Sequence, residues 1–206
     1  RRSECNDGMP TSDVSALVDR RAVLLAELAG TDGGVDDRSA GDRDAELEQV
    51  TADLRDALDG RSPRVRRITV DEPGDLVDRL AAAEPVHPIS GPDDLANRLG
   101  EDRRCFVLEP PLLAGRPLNV VWVALCQGVP QDLAALLDVD AADLDPTTAD
   151  TAAFYSIWNV EPGLVGLPGG RSLLGGVVEQ LRDELPDLRT FVTLSPVPGF
   201  RRWLGA

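Results

Sequence analysis

The residue pattern predicts a mixed α/β (α+β) chain: an N-terminal helical segment over residues 1–60, then a second domain over 61–206 with a mostly antiparallel sheet. Three observations lead there. Before residue 60 the apolar residues recur at helical spacing. After Pro63 short β-like runs alternate with Pro/Gly turns and short helices. Late in the chain a strand, a Gly-rich loop, a well-patterned helix and a last strand follow one another.

In the first helix Val14, Leu17, Val18, Leu24, Leu25 and Leu28 share one face, with Thr11, Ser12 or Asp13 as candidate N-caps and Gly30 as the stop. Residues 31–41 form a polar loop rich in Gly and Asp. The second helix aligns Leu47, Val50, Leu54 and Leu58 and ends at Gly60. Such a pair cannot bury two apolar stripes alone in water. It must dock on the rest of the chain or on another subunit, and a homo-oligomer through this segment is expected. Residues 64–70 read as a short strand. Residues 75–83 and 92–99 read as short helices, the second opened by the Ser90-Gly91-Pro92 turn. Residues 105–108 and 118–126 read as two strands of a meander, 130–137 as a short helix, 138–150 as an acidic connector and 152–160 as a strand. Residues 161–171 are the Gly-rich loop. Residues 172–185 are a helix with Leu173, Leu174, Val177, Val178 and Leu181 inward, and 188–195 are the last strand. This order is that of a GNAT-type acyl-CoA-binding fold.

Composition bounds the rest. Hydrophobic residues make up 42% of the 206, enough for a core, but aromatics are few, so Leu, Val and Ala must fill it. The first residue is Arg, so the chain is expected to lack its natural start. No stretch reaches the roughly 20 apolar residues of a membrane helix, and no charged-then-apolar signal opens the chain. Cys5, Cys105 and Cys126 are too few and too scattered for a disulfide framework or a zinc site, and a reducing cytoplasm is the plain reading. A net charge of −15 argues against nucleic acid, whose phosphates need a basic face. That charge lies wholly in residues 1–160, because five acids and five arginines balance in 161–206. A small anionic ligand can still be received there.

Two stretches can carry chemistry. In Pro162–Arg171 the glycines let backbone N–H groups converge, and the following helix adds its positive end, a combination suited to a pyrophosphate such as that of coenzyme A. A tight strand-to-helix connection would also want those glycines. In the second stretch a β-branched run ends at Ser195, and Pro196 and the Val197-Pro198-Gly199 turn stop the strand. A hydroxyl there can face a cleft. It can equally be a turn former bonded to its own backbone. Plainer readings suffice elsewhere: His87 as a structural residue at a turn, Ser156 as a satisfied core hydroxyl, Phe200 and Trp203 as packing, Asp183 and Glu184 as solvated charge.

The run Thr193-Leu194-Ser195-Pro196-Val197-Pro198-Gly199-Phe200, with Trp203-Leu204 after it, resembles the T-L-S-P-I-P-G-F-x-x-W-L signature of malonyl-CoA decarboxylases. Phe154-Tyr155-Ser156-Ile157 with Gly163-Leu164-x-Gly166 is similar to that family's F-Y-S-I-S…G-L-x-G run. Val86-His87-Pro88-Ile89, Asp102–Phe106, Val123-Ala124-Leu125 and the Val18-Asp19-Arg20-Arg21-x-x-Leu24-Leu25 segment resemble further landmarks. The resemblance implies Ser195 as the catalytic serine. It implies Val165, Gly166, Leu167, Pro168, Gly169, Gly170 and Arg171 as the contacts to malonyl-CoA. No metal or redox cofactor is implied, because the coenzyme A moiety is part of the substrate. Two positions depart: the family has a small residue, usually Ser, where Trp158 stands, and a bulky apolar one at Gly169. The family's second catalytic residue, a histidine in an N-P-V-A-x-F-H-L-type segment, has no counterpart in these residues, so a C-terminally truncated catalytic domain with little turnover of its own is expected. An acyl-CoA-dependent N-acetyltransferase and a non-catalytic acyl-CoA-binding protein are the alternatives.

Overall fold

The structure is a computed structural model that describes residues 10–30, 37–59, 62–72, 74–167 and 170–195. Five strands form one sheet in the order β1-β2-β3-β4-β5: β1 Arg64–Ile68, β2 Arg103–Glu109, β3 Asn119–Cys126, β4 Thr151–Asn159 and β5 Thr190–Thr193. β2, β3 and β4 run antiparallel in a meander. Leu118 and Leu125 donate to Leu108 and Asp102, and Asp150 and Val160 donate to Cys126 and Leu118. Between those last two bonds β4 advances ten residues and β3 only eight, so β4 bulges. β5 lies parallel to β4, with Thr151 opposite Thr190 and Phe154 opposite Thr193. Parallel neighbours need a crossover, which the Gly-rich loop and α6 (Gly170–Glu184) provide. Leu173, Val177 and Leu181 give α6 its buried stripe at four-residue spacing.

The chain divides into two compact units. The first comprises the residues up to Arg66 with Val107–Asn119 and Asn159–Leu174. Here α1 (Thr11–Ala29) packs on α2 (Asp37–Leu58), burying Val14, Val18 and Leu24 together with Val50, Leu54 and Ala57. Each of the Val and Leu side chains contributes about 1.5–3 kcal/mol when fully buried. The pair also docks on the chain, because α1 lies against the 3-10 turn Pro162–Leu164. That approach is close enough to require glycine: a Cβ on Gly163 would stand 2.0 Å from the Val18 carbonyl oxygen. The predicted N-caps are not used. Pro10 caps α1, and Ser12 donates to Asp13 instead.

The second unit comprises Arg67–Phe106, Val120–Trp158 and the residues from Gly175. Its core is Cys105, Phe106, Val120–Leu125 and Ala152–Tyr155, with the Trp122 and Trp158 rings stacked at 6.4 Å. β2 begins at Arg103, two residues before the predicted start, because Arg103 and Arg104 are buried and neutralised within the strand. Arg103 pairs with Asp102 at 2.7 Å and donates to the Leu136 carbonyl at 2.9 Å. Arg104 meets Glu184 at 2.6 Å, and Arg67 shares that carboxylate at 3.2 Å. Glu184 is therefore an ion-pair partner and not the free solvated charge its helix position suggests. α3 (Gly74–Ala82) and α4 (Pro92–Arg98) match the pattern, whereas α5 is a single turn, Leu133–Leu136. The Asp132 carboxylate accepts from Ala134 N–H and starts the helix three residues late. Among the described residues no helix is long and apolar enough to cross a membrane.

Candidate functional site

Ser195 stands where two parallel strands part. Leu194 N–H donates to the Phe154 carbonyl at 2.8 Å, the last bond between them among the described residues. β4 continues to Asn159 while β5 has ended at Thr193. Beside this split lies a cavity of about 70 Å³ lined by Val86, Phe154, Tyr155, Ser156, Ile157, Leu194 and Ser195. Ser195 is exposed, and its hydroxyl has no hydrogen-bond partner among the described residues. The carboxyl end of a parallel strand at such a divergence is a common place for ligands.

The wall of that cavity is fixed by a buried carboxylate. Glu84 accepts from the Ser156 hydroxyl at 2.8 Å and from the backbone N–H groups of Val86 and His87 at 2.8 and 2.9 Å. It thereby ties the Pro85–Pro88 turn to β4. The His87 Nε2–H faces the Tyr155 carbonyl at 3.1 Å, which fixes the tautomer because a carbonyl only accepts. His87 thus has the structural role its turn position predicts, and Ser156 is the satisfied core hydroxyl expected of it. The Tyr155 hydroxyl is buried without a partner among the described residues, and burial pushes its pKa up.

The Gly-rich loop belongs to the first unit. Its turn bonds use up several of its own donors: Leu164 donates to Glu161, Val165 to Pro162 and Leu167 to Leu164. The Gly166 N–H has no acceptor among the described residues. Gly166 has φ +78, a conformation that side chains rarely adopt. Val165 is exposed, and Leu167 lines a groove of about 310 Å³ with Arg55, Asp56, Leu58 and Asp59. Gly170 and Arg171 open α6, two residues before its predicted start, in the turn whose N–H groups lack intrahelical acceptors. Pro168 and Gly169 lie outside the described residues, as does the Pro196–Leu204 part of the signature.

Sequence reasoning missed three residues that hold this loop and cavity. Arg21 donates from Nη1 to the Gly163 and Val165 carbonyls at 2.8 and 2.9 Å and from Nε to Thr51 Oγ1 at 2.9 Å. Arg116 binds Glu161 and Asp19, at 2.8 and 2.7 Å, and those carboxylates raise its pKa further. Glu84 is the third. A signal existed for Arg21 alone: it falls three residues from both Val18 and Leu24, on the apolar face of α1. Among the described residues no group of three His, Cys, Asp or Glu side chains could hold a metal ion.

Residues 63–206 match the family model described as the malonyl-CoA decarboxylase C-terminal domain. The chain belongs to the malonyl-CoA decarboxylase family. It is 34% identical over 142 residues to the mitochondrial malonyl-CoA decarboxylase of Anser anser anser, covering 68% of this chain and 28% of that one. The malonyl-CoA decarboxylase of Rhodopseudomonas palustris superposes with a TM-score of 0.81 at 35% identity, and that of Agrobacterium vitis with 0.78 at 37%. These cover 93% and 95% of this chain, which spans 45% of each. The chain thus spans less than half the length of the malonyl-CoA decarboxylases it matches. Of the two departures from the family pattern, Trp158 fits by turning inward onto Trp122, so its bulk joins the core. Gly169 is outside the described residues.

Proposed function

We propose that this chain carries the malonyl-CoA site of a malonyl-CoA decarboxylase, forming acetyl-CoA and carbon dioxide in malonyl-CoA and fatty acid metabolism. The observation that carries this reading is Ser195, exposed beside a cavity at the β4–β5 split and inside the stretch that resembles the family signature. In the reaction the bond between carboxylate and methylene breaks, and its electron pair delocalises into the thioester as an enolate. A proton then goes to that carbon. Ser195 would hydrogen-bond the reacting malonyl group and stabilise the charge developing on it. A histidine outside residues 1–206 would give the proton, as the family resemblance implies.

The free Gly166 N–H and the start of α6 support a coenzyme A pyrophosphate contact within Val165–Arg171, in a GNAT-like domain over 61–206 that follows a helical domain over 1–60. The chemistry needs no metal or redox cofactor. The sparse cysteines support a reducing cytoplasm, although the relatives named above include a mitochondrial one. Calorimetric titration with malonyl-CoA tests the reading. Gly166→Asp places an anion at a left-handed backbone position in the loop, and affinity should fall at least tenfold, by roughly 1.4 kcal/mol. Unchanged affinity contradicts the loop assignment.

A further inference from the structure

Arg21 is a buried cation without a carboxylate partner among the described residues. Buried charges are normally paired, because leaving water uncompensated is costly. Arg21 instead spends its donors on one hydroxyl and two loop carbonyls. The charge of Arg55 lies near enough to add to its own, and burial together with Arg55 lowers the Arg21 pKa. Arg21 itself therefore carries its charge against neutral acceptors, with no carboxylate on it among the described residues.

The peptide geometry says which way the loop N–H groups face. In a trans peptide the carbonyl and the following N–H point in opposite directions, and there are no cis bonds among the described residues. The Gly163 carbonyl turns toward Arg21, so Leu164 N–H turns away, where Glu161 accepts it. The Val165 carbonyl also turns toward Arg21, so Gly166 N–H points away from it, and nothing among the described residues accepts from that donor. Gly163 keeps the loop tight against α1, since any Cβ would strike the Val18 carbonyl.

We propose that Arg21 is a positioning residue for the pyrophosphate of the substrate: by holding the Gly163 and Val165 carbonyls it aims the Gly166 N–H outward, and it supplies the positive charge behind the loop. This rests on the reading that the loop binds coenzyme A. A helix of the N-terminal segment thereby sets affinity for the substrate without touching it.

The test is calorimetry with coenzyme A, ADP and pantetheine on the whole chain, with melting temperatures for each variant. Arg21→Ala should weaken coenzyme A and ADP binding tenfold or more and leave pantetheine, which has no pyrophosphate, unchanged. Arg21→Lys should recover part of the loss. Equal weakening for all three probes, or unchanged coenzyme A affinity, overturns the proposal. If Arg21→Ala does not fold, Thr51→Val decides, since it removes only the Nε acceptor: a loss of about threefold for coenzyme A and none for pantetheine supports the role, and no loss overturns it. Gly166→Asp separates the two failures. If it weakens coenzyme A binding while the Arg21 and Thr51 variants do not, the positioning role fails and the loop reading stands; if it too has no effect, the loop reading itself fails.

Discussion

One carboxylate at Glu84 accepts from three donors: the buried Ser156 hydroxyl and two half-buried turn N–H groups. Each buried polar group left unpaired costs about 1–3 kcal/mol. Glu84→Ala should therefore lower stability by roughly 3 kcal/mol or more, and Glu84→Gln by less, since an amide keeps one accepting oxygen. Urea denaturation measures both, and equal losses would show that the acceptors are not what matters. Trp158 makes a second residue-scale prediction. The family carries a small residue there, yet here the indole is buried on Trp122. Trp158→Ser should cost about 3–5 kcal/mol, the range for emptying an aromatic site in a core. A loss below about 1 kcal/mol would mean the core closes over the vacancy.

At the scale of elements, α4 depends on a charge network at its start. Asp94 accepts from Ser90 N–H and Oγ at 2.9 and 3.1 Å and from Arg98 Nε at 2.8 Å. Burial pushes its pKa up, but the bonds from Arg98 and Ser90 outweigh burial and hold it below the ordinary 3.8. A depressed folded pKa contributes stability above the unfolded value, and that stability is lost as pH falls through the folded one. The melting-temperature gap between the native chain and Asp94→Asn should be full above about pH 5 and shrink as pH falls below 3.8; a constant gap from pH 6 to 2.5 would contradict it.

The same scale shows what a sequence can disclose. Helix faces such as Val14, Val18 and Leu24, and the strand–loop–helix–strand order, follow from local periodicity and are where the pattern placed them. Arg104 defeated the pattern because its partner, Glu184, is distant in sequence, as is the Leu136 carbonyl that Arg103 reaches beyond its neighbour Asp102. The donors of the Gly-rich loop were legible as a class. That Val165 and Leu167 bond within the loop, leaving Gly166, depends on backbone angles no residue name specifies. That the last strand stops just before Ser195 was legible from Pro196 and Pro198 after it. Glu84, the residue that fixes its cavity, was not, since it reaches Ser156 only through the tertiary fold.

For the whole molecule, the family match over residues 63–206 spans both candidate stretches of the sequence. The reading of function reduces to whether Ser195 acts in the chemistry or only in a turn. The deciding measurement is kcat and melting temperature for Ser195→Ala on malonyl-CoA, in protein that carries this chain together with the histidine-bearing segment the resemblance implies. A catalytic hydroxyl predicts kcat lower by roughly 10²-fold or more, the scale of losing one transition-state donor, with KM and melting temperature little changed. Near-normal turnover with stability reduced by about 1 kcal/mol, the worth of a local hydrogen bond, would make Ser195 a turn former and contradict the catalytic assignment.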